Sequence, residues 1–326
     1  MLNYLRACQH PEGGFSGAPF MEAHIASTYS ALCAIIQIGT EEGYQIINRE
    51  KLLQYLLRLK HNKDDPEDSL TECSKMRTTK PGSFEIHING EDDMRSTYCS
   101  LILADVLNLI DNKQLREGIG DFIASCQTYE GGIACLPFGE AHAGYTFCGL
   151  ASLILLGETN KIDINRLAEW AVNRQIANQG GFNGRINKFV DSCYNYWQGA
   201  IAELIDIALK GKGNYNREWL YNQRAVQGYT ILCCQDREGG LIDKPSKSPD
   251  LYHTCYALAG LSIMQSKSMY EELYVKEDYS MKNAEENSVM LSEILENKLS
   301  RIHPLYNLQH EKVAKAKAYF AKFPKL

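Results

Sequence analysis

The chain has 326 residues, is 44% hydrophobic and carries a formal net charge of -6, so it is long enough for one large domain or two with a sizeable core. The negative charge excludes an overall field that attracts nucleic acid or an anionic membrane, and no apolar run is long enough to span a bilayer. We therefore expect no nucleic-acid partner and no stable membrane insertion. An anionic ligand would have to bind in a local basic pocket.

Apolar residues at helical spacing dominate the chain, and no alternating strand pattern stands out. Many of the helices are apolar on nearly all sides, which predicts that neighbours bury them on several faces. In chain order, the predicted helices cover residues 27–38, 93–109, 145–156, 193–209 and 253–264, followed by a closing helix over 311–323.

The chain has eleven cysteines and no CxxC pair, which does not predict a disulfide framework. Reduced thiols instead predict a cytoplasmic protein. Most of the cysteines are interpreted as small buried hydrophobes, since several lie within apolar helical patterns. These are Cys33, Cys99, Cys148 and Cys255.

One unit recurs along the chain: a helix ending near Gln, a glycine pair, a short loop and an apolar helix. Its clear copies have glycine pairs at 13–14, 131–132, 180–181 and 239–240, and a degenerate copy lies at 81–84. Stacked helix pairs either extend as a solenoid or close into a ring. The buried second helices favour an all-α closed ring, with those helices inside.

We interpret residues 1–326 as a single domain built from these repeats. Two polar segments interrupt it. Residues 61–79 are predicted to be a solvated insertion, and residues 266–301 a polar connection.

Polar residues recur at the same phase, near the start of each second helix. In a closed ring, equal phase places them at one end, so we expect a shared site at one mouth. The groups are His24 with Tyr29, Arg95 with Tyr98, His142 with Tyr145, Asp191 with Cys193 and Tyr194, and Tyr252 with His253.

A metal is the first ligand that these residues suggest. Asp191, Cys193 and His253 combine hard and soft donors that suit zinc, and three protein ligands leave a fourth position open, as in catalytic sites. The alternative is an N-capping carboxylate, a core thiol and a hydrogen-bonded histidine.

An anion is the second ligand that the polar residues suggest. Arg185, Lys188, His142 and Tyr194 combine two fixed cations, a titratable donor and a phenol, which suits a diphosphate. The alternative for Lys188 is a surface cation. Asp243, in the equivalent loop one repeat later, is either a magnesium ligand beside the diphosphate or a turn carboxylate.

Aromatic side chains on the inner helices suggest a third ligand. Each is by default a core residue, but as a set lining a ring they would hold a long hydrocarbon. They are Tyr98, Tyr145, Phe147, Tyr196 and Trp197.

Five stretches of the chain resemble the protein prenyltransferase β-subunit family, and its farnesyl branch in particular. They are GTEE with INREKLLQYL in 39–56, RSTYC at 95–99, EAHAGYTFCGL at 140–150, RINKFVDSCYNYW at 185–197 and DLYHTCY at 250–256. The resemblance runs from residue 8 to the end, apart from the two polar segments.

The resemblance implies an α/α toroid paired with a separate helical-repeat α subunit. It implies zinc ligands at Asp191, Cys193 and His253, and a diphosphate site at His142, Arg185, Lys188 and Tyr194. The isoprenoid pocket would include Arg95, Tyr98, Tyr145, Cys148 and Trp197. Tyr252 would lie beside the zinc and the peptide, with His24 and Ala26 on the peptide side.

The implied reaction transfers a farnesyl group from farnesyl diphosphate to the cysteine thiol of a C-terminal CaaX sequence, as found on small GTPases. Zinc would hold the thiolate, and magnesium would accompany the diphosphate. Asp191, Cys193, His253, Lys188, Tyr194 and Asp243 would form the catalytic set.

Two alternatives remain. One is a geranylgeranyltransferase β subunit of the CaaX or Rab type, and the run at 39–56 together with Asp243 favours the farnesyl branch over it. The other is a non-catalytic toroid that serves as a binding scaffold. Family members extend further upstream, so we expect the first helical hairpin to be missing, which leaves isoprenoid length undetermined.

Overall fold

A computed structural model describes residues 1–62, 81–210, 220–265 and 299–326. Apart from their ends, the predicted insertion at 61–79 and the connection at 266–301 lie outside the described residues. The described chain is an α/α toroid whose helices are, in order, α1 (Leu2–Cys8), α2 (Ile25–Ile38), α3 (Glu41–Tyr44), α4 (Arg49–Leu59), α5 (Met94–Val106), α6 (Lys113–Arg116), α7 (Ile119–Ser125), α8 (Ala143–Leu156), α9 (Ile164–Val172), α10 (Tyr194–Lys210), α11 (Gln223–Cys233), α12 (Leu251–Gln265) and α13 (His310–Phe320).

The predicted apolar helices are confirmed, with ends that differ by at most three residues. Each is an inner helix of the ring: α2, α5, α8, α10 and α12. Successive inner helices pack side by side, and an outer helix precedes each along the chain. The burial of α5 and α8 on several faces explains why their apolar residues surround the helix axis.

The glycine pairs of the repeat form tight turns between outer and inner helices. The residues flanking each turn pair as an antiparallel bridge, for example Gln127 with Ile133 and Gln175 with Phe182. Gly131 has a φ of 105°. A β-carbon added to it would lie 2.1 Å from the Arg166 carbonyl oxygen. Glycine is therefore required here both by conformation and by space.

The C-terminal segment joins the two ends of the arc of inner helices. Strand β1 (Ile302–His303) contacts α12, its antiparallel partner β2 (Leu308–Gln309) contacts α2, and α13 packs on α2 and α5. The strands were not predicted, because two residues are too few to show an alternating pattern.

One cysteine prediction is wrong. Cys255 on α12 is exposed, whereas Cys148 on α8 is buried and Cys33 and Cys99 are partly buried. The reason is position: α8 has an inner helix on each side, while α12 lies at the end of the arc and packs on α10, α11 and β1. Leu251 and Leu258 of α12 are exposed for the same reason.

None of the described helices is both long and apolar enough to cross a membrane.

Candidate functional site

Five loops, one before each inner helix, line one end of the described ring. Backbone hydrogen bonds join the residue at or just before the start of an inner helix to the loop of the following repeat, and those from Ala143 N to Gly184 O and from Ser192 N to Asp243 O are 2.8 Å and 2.9 Å long. Ile25 and Met94 make the equivalent bonds in the earlier repeats. Side chains at the starts of different inner helices are thereby brought to one mouth, as the repeat phase predicted.

The three predicted metal ligands lie together at this mouth. One ligand atom from each of Asp191, Cys193 and His253 lies within 4.8 Å of the other two. The Cys193 amide donates to Asp191 Oδ1 at 2.8 Å, and His253 Nε2 lies 3.4 Å from the same oxygen. Asp191 and Cys193 precede α10 and His253 is in the first turn of α12, so the packing of α10 against α12 assembles the cluster.

Asp250 fixes the direction in which His253 points. Its Oδ1 accepts from the His253 amide at 2.7 Å, and its Oδ2 lies 2.6 Å from His253 Nδ1. The Nδ1–H therefore donates to the carboxylate, and the lone pair on Nε2 faces Asp191 and Cys193. A carboxylate in this position is the usual orienting partner of a metal-binding histidine.

Electrostatics favour a cation in this cluster. Burial, followed by the nearby Asp191 charge, raises the pKa of the Cys193 thiol well above its usual range. Burial likewise raises the pKa of Asp191. A divalent cation would reverse both effects, since it stabilises the thiolate and the carboxylate.

A basic and hydrogen-bonding face lies next to the cluster. Arg185 forms an ion pair with Glu140, and His142 Nε2 lies 3.0 Å from the Tyr194 hydroxyl. Burial, followed by the Arg185 charge, lowers the pKa of His142. Lys188 is exposed on the same loop as Arg185.

Gly184 makes the contact between His142 and Tyr194 possible. A β-carbon added at Gly184 would lie 2.1 Å from both Cζ and the hydroxyl oxygen of Tyr194. The phenol therefore occupies the space that any other side chain at 184 would take.

Asp243 reaches the edge of the metal cluster. Its Oδ2 pairs with Lys244, whereas its Oδ1 is buried without a hydrogen-bond partner in the described structure. Its negative charge contributes to the raised pKa of Asp191. An unpartnered buried carboxylate oxygen facing other anions is suited to a cation.

Four of the five aromatic residues predicted to line a cavity contact one another in a layer, namely Tyr98, Phe147, Tyr196 and Trp197, whereas the Tyr145 ring lies against His142. Phe147 has ring centroids 5.2 Å from Tyr98 and Trp197 and 5.3 Å from Tyr196. The Tyr98 hydroxyl donates to the Leu305 carbonyl at 2.7 Å, and Tyr196 donates to Pro304 at 2.9 Å. The C-terminal segment therefore forms the floor beneath the mouth.

Arg95 lies above this layer. The Arg95 Nε–H donates a 3.0 Å hydrogen bond to Asp93, the residue that caps α5. The Arg95 guanidinium lies 5.9 Å from the centre of the Tyr145 ring. Cys148, one turn after Tyr145, is buried, and burial raises the pKa of its thiol.

The remaining predicted residues lie at two places on the mouth. The Trp197 indole N–H donates to the Tyr252 hydroxyl at 3.3 Å, beside His253. His24 caps α2 by accepting from the Ala26 amide, and its ring lies 5.7 Å from His87. The structure thus brings Tyr252 to the metal cluster. His24, the N-cap of α2, and Ala26, in the first turn of α2, lie two repeats before His142.

Sequence reasoning missed the residues that orient the site. Asp250, Glu140 and Asp93 each precede a predicted site residue by two or three positions and bond to a site side chain. An acidic residue just before each inner helix was a usable signal. The contribution of Leu305 and Pro304 carbonyls carried no sequence signal, because backbone atoms are common to all residues.

Comparisons with known proteins agree with the toroid fold. Residues 1–308 match the prenyltransferase alpha-alpha toroid domain family. The chain is 34% identical to the protein farnesyltransferase subunit beta of Pisum sativum, over 98% of this chain and 83% of that subunit. It is 32% identical to the geranylgeranyl transferase type-1 subunit beta of Arabidopsis thaliana, over 76% of this chain and 60% of that one.

A solved structure shows the same fold. It is the Candida albicans protein geranylgeranyltransferase-I complexed with GGPP, with a TM-score of 0.64 and 22% identity over 90% of this chain and 74% of that one.

Proposed function

Because this chain belongs to the prenyltransferase alpha-alpha toroid family, we propose that it is the β subunit of a protein farnesyltransferase. It would transfer a farnesyl group from farnesyl diphosphate to the cysteine of a C-terminal CaaX sequence. The observation that carries the proposal is the convergence of Asp191, Cys193 and His253 with a basic face at one mouth of the toroid.

The donor set of the cluster fits zinc. Carboxylate, thiolate and imidazole from Asp191, Cys193 and His253 suit a tetrahedral zinc with one open position. Zinc bound there would keep a substrate cysteine as thiolate at neutral pH. Asp250 supports this assignment, since it holds the His253 tautomer whose Nε2 is free to bind metal.

The basic face fits the diphosphate. Arg185 and Lys188 supply positive charge, and the hydroxyl of Tyr194, held beside His142, supplies a neutral donor. With a diphosphate bound at this face, these groups would donate to oxygens on which negative charge grows as the carbon–oxygen bond breaks, and so would lower the barrier of the transfer step. Glu140 must release Arg185 from its ion pair, or share it, when the diphosphate binds.

Asp243 is proposed as a magnesium ligand. Its Oδ1 is buried without a partner in the described structure, and its backbone carbonyl accepts from Ser192, which is next to the cluster residues Asp191 and Cys193. Magnesium prefers such oxygen ligands and is commonly shared with substrate phosphates.

The farnesyl branch is preferred over the geranylgeranyl branch on sequence. The pea subunit matches more of this chain at higher identity than the Arabidopsis geranylgeranyl subunit does. The run at 39–56 and Asp243 point the same way. A reducing, cytoplasmic setting is proposed because none of the described cysteines forms a disulfide.

Co-expression with the farnesyltransferase α subunit of the same organism tests the proposal. The purified pair is assayed with farnesyl and geranylgeranyl diphosphate on a CaaX peptide and on the same peptide with Cys replaced by Ser. We expect farnesyl transfer to the cysteine peptide by the pair, and little by the chain alone. Faster geranylgeranyl transfer would assign the chain to the geranylgeranyltransferase branch. No transfer of either isoprenoid would favour a binding scaffold.

A further inference from the structure

The five loops at the mouth share one strained position. Each contains a tight turn whose last residue has a positive φ although it is not glycine: Phe20, Asn89, Phe138, Asn187 and Ser246. Asn tolerates this left-handed region because its short side chain bonds locally, whereas a bulky residue there is strained. Two of the five described turns therefore hold a phenylalanine where the chain elsewhere uses Asn or Ser.

Nothing in the described chain offsets that strain by burial. The side chain of Phe20 is fully exposed and that of Phe138 is 94% exposed. A third ring, that of Phe189 beside Lys188, is 78% exposed. Strained conformations persist where they serve a function. The three rings are on loops that line the same end of the ring, and exposed apolar groups on one face are typical of interaction surfaces.

We propose that Phe20, Phe138 and Phe189, the rim phenylalanines, are anchors for the α subunit; this rests on the proposed function. Phenyl rings bury roughly 150–250 Å² each, so the three together would supply about half or more of the area of about 800 Å² that one partner contributes to a stable interface. Rigid aromatic side chains are typical anchors at such interfaces.

The position of the rings favours a lasting protein partner. Phe138 is in the loop of Glu140 and Phe189 in the loop of Arg185, so a subunit seated on them would close the mouth beside the diphosphate face. A transient peptide substrate would leave the rings exposed between turnovers. The net charge of -6 disfavours an anionic membrane as the occupant.

Replacement by the chain's own turn residue tests the proposal. Phe20→Asn, Phe138→Asn and the double variant keep the loop conformation, since Asn89 and Asn187 adopt it. We expect the isolated variants to melt on the order of 2 °C higher per substitution, because strain is relieved. We expect affinity for the separately purified α subunit to fall about tenfold per substitution. Zinc content should not change.

Tyr129→Asn is the matched control, because Tyr129 is 83% exposed but belongs to a glycine turn and not to the rim. It should leave α-subunit affinity unchanged. Wild-type affinity in the double variant would overturn the rim assignment while leaving the proposed function intact. Absence of binding by the wild-type chain would overturn the heterodimer and the rim together. Rim-dependent binding to vesicles of phosphatidylcholine and phosphatidylserine, without α-subunit binding, would identify a membrane surface instead.

Discussion

At the residue scale, the site depends on side chains that orient other side chains. Asp250 turns His253 so that Nε2 faces Asp191, and Gly184 leaves room for Tyr194 to reach His142. Neither role follows from residue type alone. The sequence identified the groups that would act on a ligand, but the groups that position them became visible only through distances.

Cys193→Ala should abolish most zinc binding. The variant loses the one thiolate of the cluster, and two remaining ligands bind zinc weakly. Zinc per chain is measured by atomic emission after dialysis, with Cys126→Ala as the control, because Cys126 is a buried thiol outside the cluster. Full zinc content in Cys193→Ala would remove this residue from the ligand set, whereas diphosphate binding is expected to survive.

Gly184→Ala should weaken binding of the isoprenoid diphosphate by about tenfold or more, since the added methyl displaces the Tyr194 phenol and a hydrogen bond to a charged group contributes about 1.5–3 kcal/mol. Zinc content should stay at the wild-type level. Gly17→Ala is the control, as Gly17 holds the same loop position in the first repeat and its nearest contact would be an ordinary 3.7 Å. Equal affinities for the two variants would contradict the steric role of Gly184.

At the element scale, the packing of α10 against α12 decides whether the metal cluster exists. A β-carbon at Gly260 of α12 would lie 2.3–2.6 Å from backbone and side-chain atoms of Asn195 and Tyr196 on α10. The helices approach this closely because Gly260 has no side chain. The predicted helix positions could not give this spacing, since it depends on how two helices that are distant in sequence meet.

Gly260→Ala should therefore force α10 and α12 apart. We expect a destabilisation of about 1–3 kcal/mol from overpacking and weaker zinc binding, because His253 moves away from Asp191 and Cys193. Gly228 on α11 is the opposite case, because a β-carbon added there would have nothing within 4 Å. Gly228→Ala should therefore raise the free energy of unfolding by about 0.5–1 kcal/mol. Chemical denaturation checks both, and destabilisation by the two alike would refute the packing explanation.

At the scale of the whole molecule, the C-terminal segment makes the arc into a closed unit. Carbonyl groups at 304 and 305 accept hydrogen bonds from Tyr196 and Tyr98 on two inner helices. Lys317 of α13 lies 2.8 Å from Asp105 of α5 and 3.1 Å from the Tyr306 hydroxyl. These contacts join the C-terminal segment to inner helices that are far from it in sequence.

Removal of the two tyrosine hydroxyls should loosen this closure. In Tyr98→Phe and Tyr196→Phe the ring remains but a buried carbonyl loses its hydrogen-bond donor. Each substitution should lower the free energy of unfolding by about 1–3 kcal/mol. Tyr129→Phe, on an exposed ring, is the control and should be neutral. Denaturation midpoints that do not move in the double variant would show that the hydroxyl bonds do not hold the segment.

The sequence by itself determined the helical repeat, the inner helices and the phase that gathers polar groups at one mouth. It did so because hydrophobic period and glycine turns are local properties of the chain. Only the tertiary structure decided that Asp191, Cys193 and His253 meet within 4.8 Å, that Asp250 orients the histidine, and that the aromatic layer closes on residues 304–305. Those outcomes depend on helix spacing and backbone contacts between distant segments, which no local pattern encodes.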